Sequence, residues 1–404
     1  MTALAAVADD VLPMSGRAHH TSETTIERIL ELARSQLEMD VSFVARFEDG
    51  AETLRAVAGD ADSFGLAEGA TYPLDRSYCG RVVDGRLPGI VRDAARNPVV
   101  MDLPATAEAG IGAYVGVPVE LWDGSVYGTL CCVSHTPDPT LDERDLSFMR
   151  VLAQLIADEV DREVLEAEKR AFEAERIQGV LDRGEIDMVF QPVFDIRNGA
   201  KAPIALEALA RFSGEPRRSP ADWFAEAAEV GLGVELELIA LEAALSHLDE
   251  MPPDVRLSLN ASPATLLSPR FAELVQDVAD RIVIEVTEHA EVVSYDELAE
   301  ALIPLRARGA MLAIDDVGAG FATLRHIIRL APDIVKLDLT LTRGIAADPA
   351  RTALASSLVD FADGIDATIA AEGIESPEDL ALLRELGVTY GQGFYLARPS
   401  PLLH

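Results

Sequence analysis

Residues 313–320 read Ala-Ile-Asp-Asp-Val-Gly-Ala-Gly, a short apolar run that ends in two adjacent carboxylates and passes at once into a glycine-bearing turn. Successive strand residues face opposite sides, so Asp315 and Asp316 can serve one centre only where the strand is ending and the backbone has begun to turn. A helix-capping Asp pair with glycine punctuation is the competing reading. Recurrence separates the two, because apolar runs that end in acid or amide return throughout the second half of the chain.

From Asp187 onward such runs occupy 188–193, 203–209, 255–259, 282–286, 311–314, 334–337, 368–371 and 388–390, the last continuing to 394. Amphipathic stretches lie between most of them, at 220–230, 234–248, 295–307 and 377–386. This alternation predicts an α/β architecture, a TIM-like (β/α)8 barrel. An open doubly wound sheet is the runner-up, but no Gly-rich dinucleotide loop opens any of the units.

The polar residues in or ending those strands are Gln191, Glu207, Asn260, Glu285, Glu288, Asp315, Asp316, Lys336, Asp338, Glu372, Glu375 and Gln392. A barrel gathers strand ends at one mouth, where five or more carboxylates repel and must take up protons unless cations bind. Oxygen donors without His or Cys select Mg²⁺ or Mn²⁺ over zinc. If Asp315 bridges and Asp316 faces outward, two ions about 3.5 to 4 Å apart fit, the geometry that activates water for in-line phosphoryl displacement. Lys336 is then the lone cation of an acidic cavity. It either holds the site neutral or contacts the attacking water or a phosphoryl oxygen. His289 and His326 read as surface or packing residues rather than ligands, since the oxygen set is complete without them.

The first half has a different rhythm. Helical spacing over 21–39 gives way to two hairpins, 41–47 with 54–58 and 113–121 with 126–134, with the Gly-, Pro- and Asp-rich segment 70–103 laid over one face as helix and loop. That is an α+β, sensor-like domain. Helical periodicity then runs from about Leu141 to Leu181, with a stripe of Met149, Leu152, Ile156, Val160, Val164, Ala167, Ala171 and Ala174. Some forty helical residues rise about 60 Å, too long for one small domain to cover. A coiled-coil connector in a parallel homodimer is expected, with a solvated single helix as the alternative.

Composition bounds the rest. The 404 residues suffice for two or three domains, and a net charge of −35 argues against a nucleic-acid polymer or an anionic membrane surface as partner. Cys131 and Cys132 are adjacent in an expected strand and face opposite ways, and with Cys79 they fit a reducing, cytoplasmic setting. Cys79 reads as a small buried hydrophobe rather than a reactive thiol. Residues 1–20 are expected to form a disordered tail.

At Ser77-Tyr78-Cys79-Gly80-Arg81, 111–119 and 127–132 the chain resembles a GAF domain over 21–160. The resemblance implies a small-molecule or redox sensor, often dimeric. The Asn-Lys and downstream Phe/Asp signature of cyclic-nucleotide-binding members is missing, so the ligand is unassigned or none.

Gln191-Pro192-Val193, Glu207-Ala208-Leu209 with Arg211, Asn260-Ala261-Ser262, Glu285-Val286-Thr287-Glu288, Asp315-Asp316, Lys336-Leu337-Asp338, Ala371-Glu372-Gly373-Ile374-Glu375 and Gln392-Gly393 resemble, in order and spacing, the EAL family of cyclic di-GMP phosphodiesterases over 178–402, within an expected domain of 178–404. The resemblance implies metal-dependent hydrolysis of cyclic di-GMP to the linear dinucleotide, in a barrel whose first strand runs antiparallel to the others. Carried over, Glu207, Asn260, Glu285 and Asp315 hold one metal, and Asp315 and Asp316 the second. Glu372 and Gln392 order the waters on the metals, and Lys336 assists the nucleophilic water. Gln191 and Arg211 contact substrate, Glu288 anchors the loop after Asp316, and Asp338 and Glu375 support the ring from behind. The family loop Phe-Gly-Thr-Gly-Tyr-Ser-Ser-Leu is here Val317-Gly318-Ala319-Gly320-Phe321-Ala322-Thr323-Leu324. That departure motivates an alternative, a non-catalytic cyclic di-GMP receptor or protein-interaction scaffold.

Overall fold

The computed structural model describes residues 22–184, 186–197, 199, 201–214, 216–286, 294–318 and 322–402. The tail expected over 1–20 lies outside the described residues, as do Glu288 and His289. The chain divides into two compact units between Lys169 and Arg170.

In the first unit, α1 (Ser22–Gln36) precedes the hairpin of β1 (Val41–Glu48) and β2 (Ala51–Gly59). β3 (Thr71–Pro73), α2 (Tyr78–Val83), β4 (Ile90–Val91) and α3 (Pro104–Glu108) follow, then the second hairpin, β5 (Ala113–Glu120) and β6 (Val126–Ser134), and α4 (Glu143–Arg183). The sheet order is β3-β2-β1-β6-β5-β4, antiparallel throughout. Both expected hairpins form. The segment read as helix and loop also supplies the two edge strands, which at two and three residues are too short to show a period.

One sheet face packs Ile26 and Leu30 of α1 with Met149, Leu152 and Ile156 of α4. The other packs Phe43, Tyr78, Cys79 and Tyr114. Cys131 and Cys132, neighbours in β6, enter opposite cores as strand alternation requires. The α4 stripe therefore differs from a coiled-coil seam over its first half, because Met149, Leu152, Ile156 and Val160 are spent on their own domain's sheet. Further along, Val164, Leu165 and Phe172 are exposed.

The second unit takes up the end of α4, where Ile177 and Val180 are buried with Trp223 and Leu236. Glu226 holds that end: Arg176 Nε donates to its Oε1 at 2.7 Å, and Arg218 donates to its other oxygen. Strands β7 (Ile186–Asp195), β8 (Pro203–Phe212), β9 (Arg256–Ala261), β10 (Ile282–Val286), β11 (Met311–Val317), β12 (Ile334–Leu337), β13 (Thr368–Ala371) and β14 (Tyr390–Gly391) close into a barrel. β7 is antiparallel to both β8 and β14, and the remaining pairs are parallel.

The barrel's helices are α5 (Pro220–Glu229), α6 (Gly233–Leu245), α7 (Pro263–Leu266), α8 (Pro269–Val275), α9 (Tyr295–Ala307), α10 (Ala322–Leu330), α11 (Leu339–Thr342), α12 (Pro349–Asp363) and α13 (Pro377–Glu385). Their starts are written in the sequence. Ser219-Pro220, Ser262-Pro263 and Ser376-Pro377 each pair a serine that accepts a backbone N–H with a proline whose fixed φ suits the first turn. Leu257, Ile284, Leu312, Val335 and Ile369 face those helices and form the main core. Among the described residues no helix is long and apolar enough to cross a membrane.

Candidate active site

The barrel mouth is built one strand at a time. β8 brings Glu207, β9 Asn260, β10 Glu285 and β12 Lys336; Glu372 and Gln392 stand directly after β13 and β14. β11 carries the paired aspartates on an irregularity. Ile314 pairs with Val335 and Val317 with Leu337, so Asp315 and Asp316 together oppose Lys336 alone. The extra residue is accommodated by Asp316 at φ 59°, a left-handed conformation that aspartate tolerates better than most residues. Alternation is thereby broken, and oxygens of Asp315, Asp316 and Glu372 lie within 4.8 Å of one another. The turn required by the sequence reading is a bulge inside the strand.

Lys336 is the hub. Its Nζ lies 2.5 Å from Glu372, 2.8 Å from Glu285, 3.1 Å from Asp315 and 3.8 Å from Glu207, with the lysine only 3% exposed. Burial disfavours its ammonium, yet the surrounding carboxylates, Asp315 foremost, hold its pKa well above the usual lysine value. Asp315 is pushed up by burial but held below the ordinary carboxylate value by Lys336. Glu285 goes the other way: burial, with Glu207 and Asp315 nearby, overcomes Lys336 and raises it to about 8. Burial likewise raises Glu372. One ammonium does not balance this many acids.

Amides and a hydroxyl fix the carboxylates. Asn260 Nδ2 donates to Glu207 Oε1 at 3.2 Å and Gln392 Nε2 to Glu207 Oε2 at 2.7 Å, which leaves the Asn260 carbonyl oxygen free to face a cation. Ser258 Oγ donates to Glu285 Oε1 at 2.5 Å. Ser258 was missed in the sequence reading, although it stands two residues before Asn260 on β9 and so shares its face. Gly393 sits at φ 154°, and a Cβ there would meet the Ile374 backbone at 2.2 Å, so only glycine lets the chain after Gln392 approach so closely.

Gln191 is buried and donates to Ala397 O at 3.3 Å; Arg211 donates to Ala210 O at 2.8 Å. Asp338 spends its carboxylate capping α11 through Thr340 N at 2.8 Å, and Glu375 pairs with Arg343 at 3.0 Å. These contacts lead away from Lys336 and its carboxylates. His326 is buried against Tyr295, with ring centroids 5.4 Å apart, as expected of a packing residue.

The model of the EAL domain family matches residues 174–399, more than half the chain. The chain belongs to the EAL family. A GAF domain model matches residues 19–161 ahead of the EAL barrel. Over 240 residues, 55% of this chain and 78% of the relative, the protein is 31% identical to an uncharacterized protein of Mycobacterium tuberculosis. It is 28% identical over 245 residues to the probable cyclic di-GMP phosphodiesterase PdeG of Escherichia coli, spanning 57% of this chain and 48% of that protein. Among solved structures, the PaMucR phosphodiesterase in complex with c-di-GMP matches 57% of this chain and 97% of its own at 26% identity and a TM-score of 0.51. The EAL enzyme Bd1971, in its cAMP- and cyclic-di-GMP-bound form, shares the fold over 90% of this chain and 91% of its own, at 19% identity and a TM-score of 0.55.

Proposed function

We propose that the EAL barrel hydrolyses one phosphodiester bond of cyclic di-GMP to the linear dinucleotide, with two divalent cations, Mg²⁺ or Mn²⁺, held by Glu207, Asn260, Glu285, Asp315 and Asp316. The observation that carries this reading is the convergence of the buried Glu207, Glu285 and Asp315, whose ligand oxygens lie within 4.8 Å of one another. Relatives named as cyclic di-GMP phosphodiesterases, and a 26%-identical phosphodiesterase complexed with c-di-GMP, support the substrate. The donors fit such ions, being hard oxygens that one ammonium leaves short of positive charge. The chemistry the cations supply when bound is Lewis acidity, lowering the pKa of water and neutralising charge on the phosphoryl group.

The chain's own groups do the rest. Gln392 and Asn260 hold the Glu207 carboxylate from both oxygens. Glu372 and Gln392 orient the attacking water, and Lys336, fixed by its carboxylate partners, steadies that water or a phosphoryl oxygen. Gln191 and Arg211 contact the substrate, Arg211 through a phosphate. Asp338 and Glu375 support the strand ends from outside the ring. Glu288, assigned a supporting role by resemblance, belongs to the same reading. As the water oxygen gives up a proton and bonds to phosphorus, the P–O bond to ribose breaks and the leaving oxygen takes up a proton, so one water is consumed per bond cut.

Residues 21–160 act as the GAF sensor, 141–181 as the connecting helix and 178–404 as the catalytic unit of a cytoplasmic homodimer. Exposed Val164, Leu165 and Phe172 on α4 support pairing with a second copy, and three buried free thiols support a reducing compartment. A monomer in analytical ultracentrifugation removes the dimer from this reading. Incubating purified protein with cyclic di-GMP and Mg²⁺ or Mn²⁺ should yield the linear product by chromatography. Folded protein that binds the dinucleotide without cleaving it in either metal would establish the receptor alternative that the substituted loop 317–324 favours.

A further inference from the structure

A buried carboxylate also lies in the N-terminal unit, outside the acid clusters found among the described residues. The sheet face opposite α1 and α4 encloses a cavity of about 410 Å³, within the range of small-molecule sites. Phe43, Phe64, Tyr72, Tyr78 and Tyr114 contribute to its wall. Two lining residues, Cys79 and Tyr114, meet behind the wall at Cys131. Cys79 Sγ lies 3.5 Å from Cys131 Sγ, which is 3.2 Å from the Tyr114 hydroxyl. The hydrogen bond with Cys131, then burial, push the Cys79 thiol up, and burial does the same to the Tyr114 phenol, so both stay protonated.

Glu52 also lines this cavity, at 6% exposure, and its Oε2 has no hydrogen-bond partner among the described residues. Burial raises its pKa, and the neighbouring Ser77 and Cys79 side chains offset that only in part. A buried, unpaired carboxylate oxygen is costly, and native proteins rarely retain one without a use. Glu52 faces the cavity because of a bulge. Val44 pairs with Ala56 and Ala45 with Leu54, so Arg55 is an extra residue in β2. On the helix side of the bulge Ala56 enters the α1/α4 core, whereas Leu54 enters the cavity core and Glu52 follows it. Without the insertion Glu52 would share Ala56's face and point into the helices. Arg55, displaced by the bulge, donates to Glu163 at 2.6 Å and to Tyr127 at 3.1 Å, so it does not serve Glu52.

Aromatic walls around one unsatisfied carboxylate suit a cation. The ring faces attract positive charge, and a carboxylate oxygen short of a donor asks for N–H. The other charged lining residues, Arg76 and Glu108, are one of each sign and exposed at the rim, where solvent screens them. An anionic ligand would set like charge against Glu52 in an apolar enclosure. We propose that this cavity binds a small organic cation, an ammonium or amidinium on a flat apolar body, with Glu52 as its counter-ion and the aromatic side chains as its walls.

The full-length protein tests this by calorimetry and thermal shift with four probes: 2-phenylethylamine and benzamidine as cations, 2-phenylethanol as their neutral counterpart and 3-phenylpropionate as the anion. The cations should bind saturably and raise the melting temperature, with 2-phenylethanol at least about tenfold weaker and 3-phenylpropionate weaker still. Glu52→Gln should cost the cations about tenfold in affinity and leave 2-phenylethanol unchanged. Equal binding of all four probes, binding of none, or cation affinity unaltered in Glu52→Gln overturns the proposal. Should that variant not fold, wild-type crystals soaked with 2-phenylethylamine decide: its nitrogen within about 3 Å of a Glu52 oxygen sustains the site, and its absence or placement elsewhere refutes it. Neither readout passes through phosphodiester hydrolysis, so its failure is distinguishable from failure of the catalytic reading.

Discussion

The two units bury carboxylate in opposite ways. In the EAL barrel Glu207, Glu285, Asp315 and Glu372 crowd around Lys336, every one within 4 Å of its ammonium. In the N-terminal unit Glu52 has no charged partner among the described residues: its neighbours are Ser77, Cys79 and aromatic rings, and one of its oxygens is unpaired. Glu226 gives the ordinary solution between these extremes, a buried carboxylate satisfied by two guanidinium groups. The contrast teaches that burial does not define a site. What marks one is a charge account left open, by excess acid in the barrel and by a missing donor in the first unit.

The sharpest break is Glu207→Ala. It removes the carboxylate that accepts from both Asn260 and Gln392, and turnover of cyclic di-GMP should fall below detection while circular dichroism stays that of the folded protein; near-normal activity would refute the assignment. Next, Lys336→Met leaves the buried carboxylates without their ammonium and should lower stability by about 3 to 5 kcal/mol in chelator, measured by urea unfolding, with part of the loss recovered on adding Mn²⁺. Ser258→Ala withdraws one hydrogen bond from Glu285 and should weaken Mn²⁺ binding about tenfold, read by calorimetry.

The smallest effect is expected at Glu52. Burial raises its pKa above the ordinary 4.5, so its contribution is fully present below pH 4.5 and is lost as the pH climbs through the folded-state value. In the absence of any cation probe, wild type should therefore lose stability relative to Glu52→Gln as pH rises through that window. A pH-independent difference would mean the carboxylate is not buried in solution.

Much of the barrel was legible because its strands are short apolar runs: 282–286, 334–337 and 368–371 were read to the residue. β7 and β8 run longer than expected, because an antiparallel pair continues to Ile186 opposite Phe212, and polar residues there broke the apolar run. Asp315 and Asp316 announced themselves by adjacency, but the bulge that reconciles them with alternation depends on Asp316's backbone, which composition does not encode. Ser258 and Glu52 stayed hidden for related reasons. A serine inside an apolar strand carries no charge to attract notice, and Glu52 falls on the cavity side only through an insertion visible in the register. The α4 stripe shows a further limit. Periodicity near 3.6 tells that a helix face is covered without telling what covers it, and over Met149–Val160 the cover is the domain's own sheet.

Placing a lysine at the centre of the acidic rim has a consequence for the order of events in the cell. The counter-ion travels with the polypeptide, so closure of the strands need not wait for a dissolved dication, unlike small metal domains whose folding and loading are a single step. If the proposed metal-dependent hydrolysis holds, metal supply would set how fast the protein works rather than how much of it is folded, and chelation should silence it reversibly without sending it to the proteases.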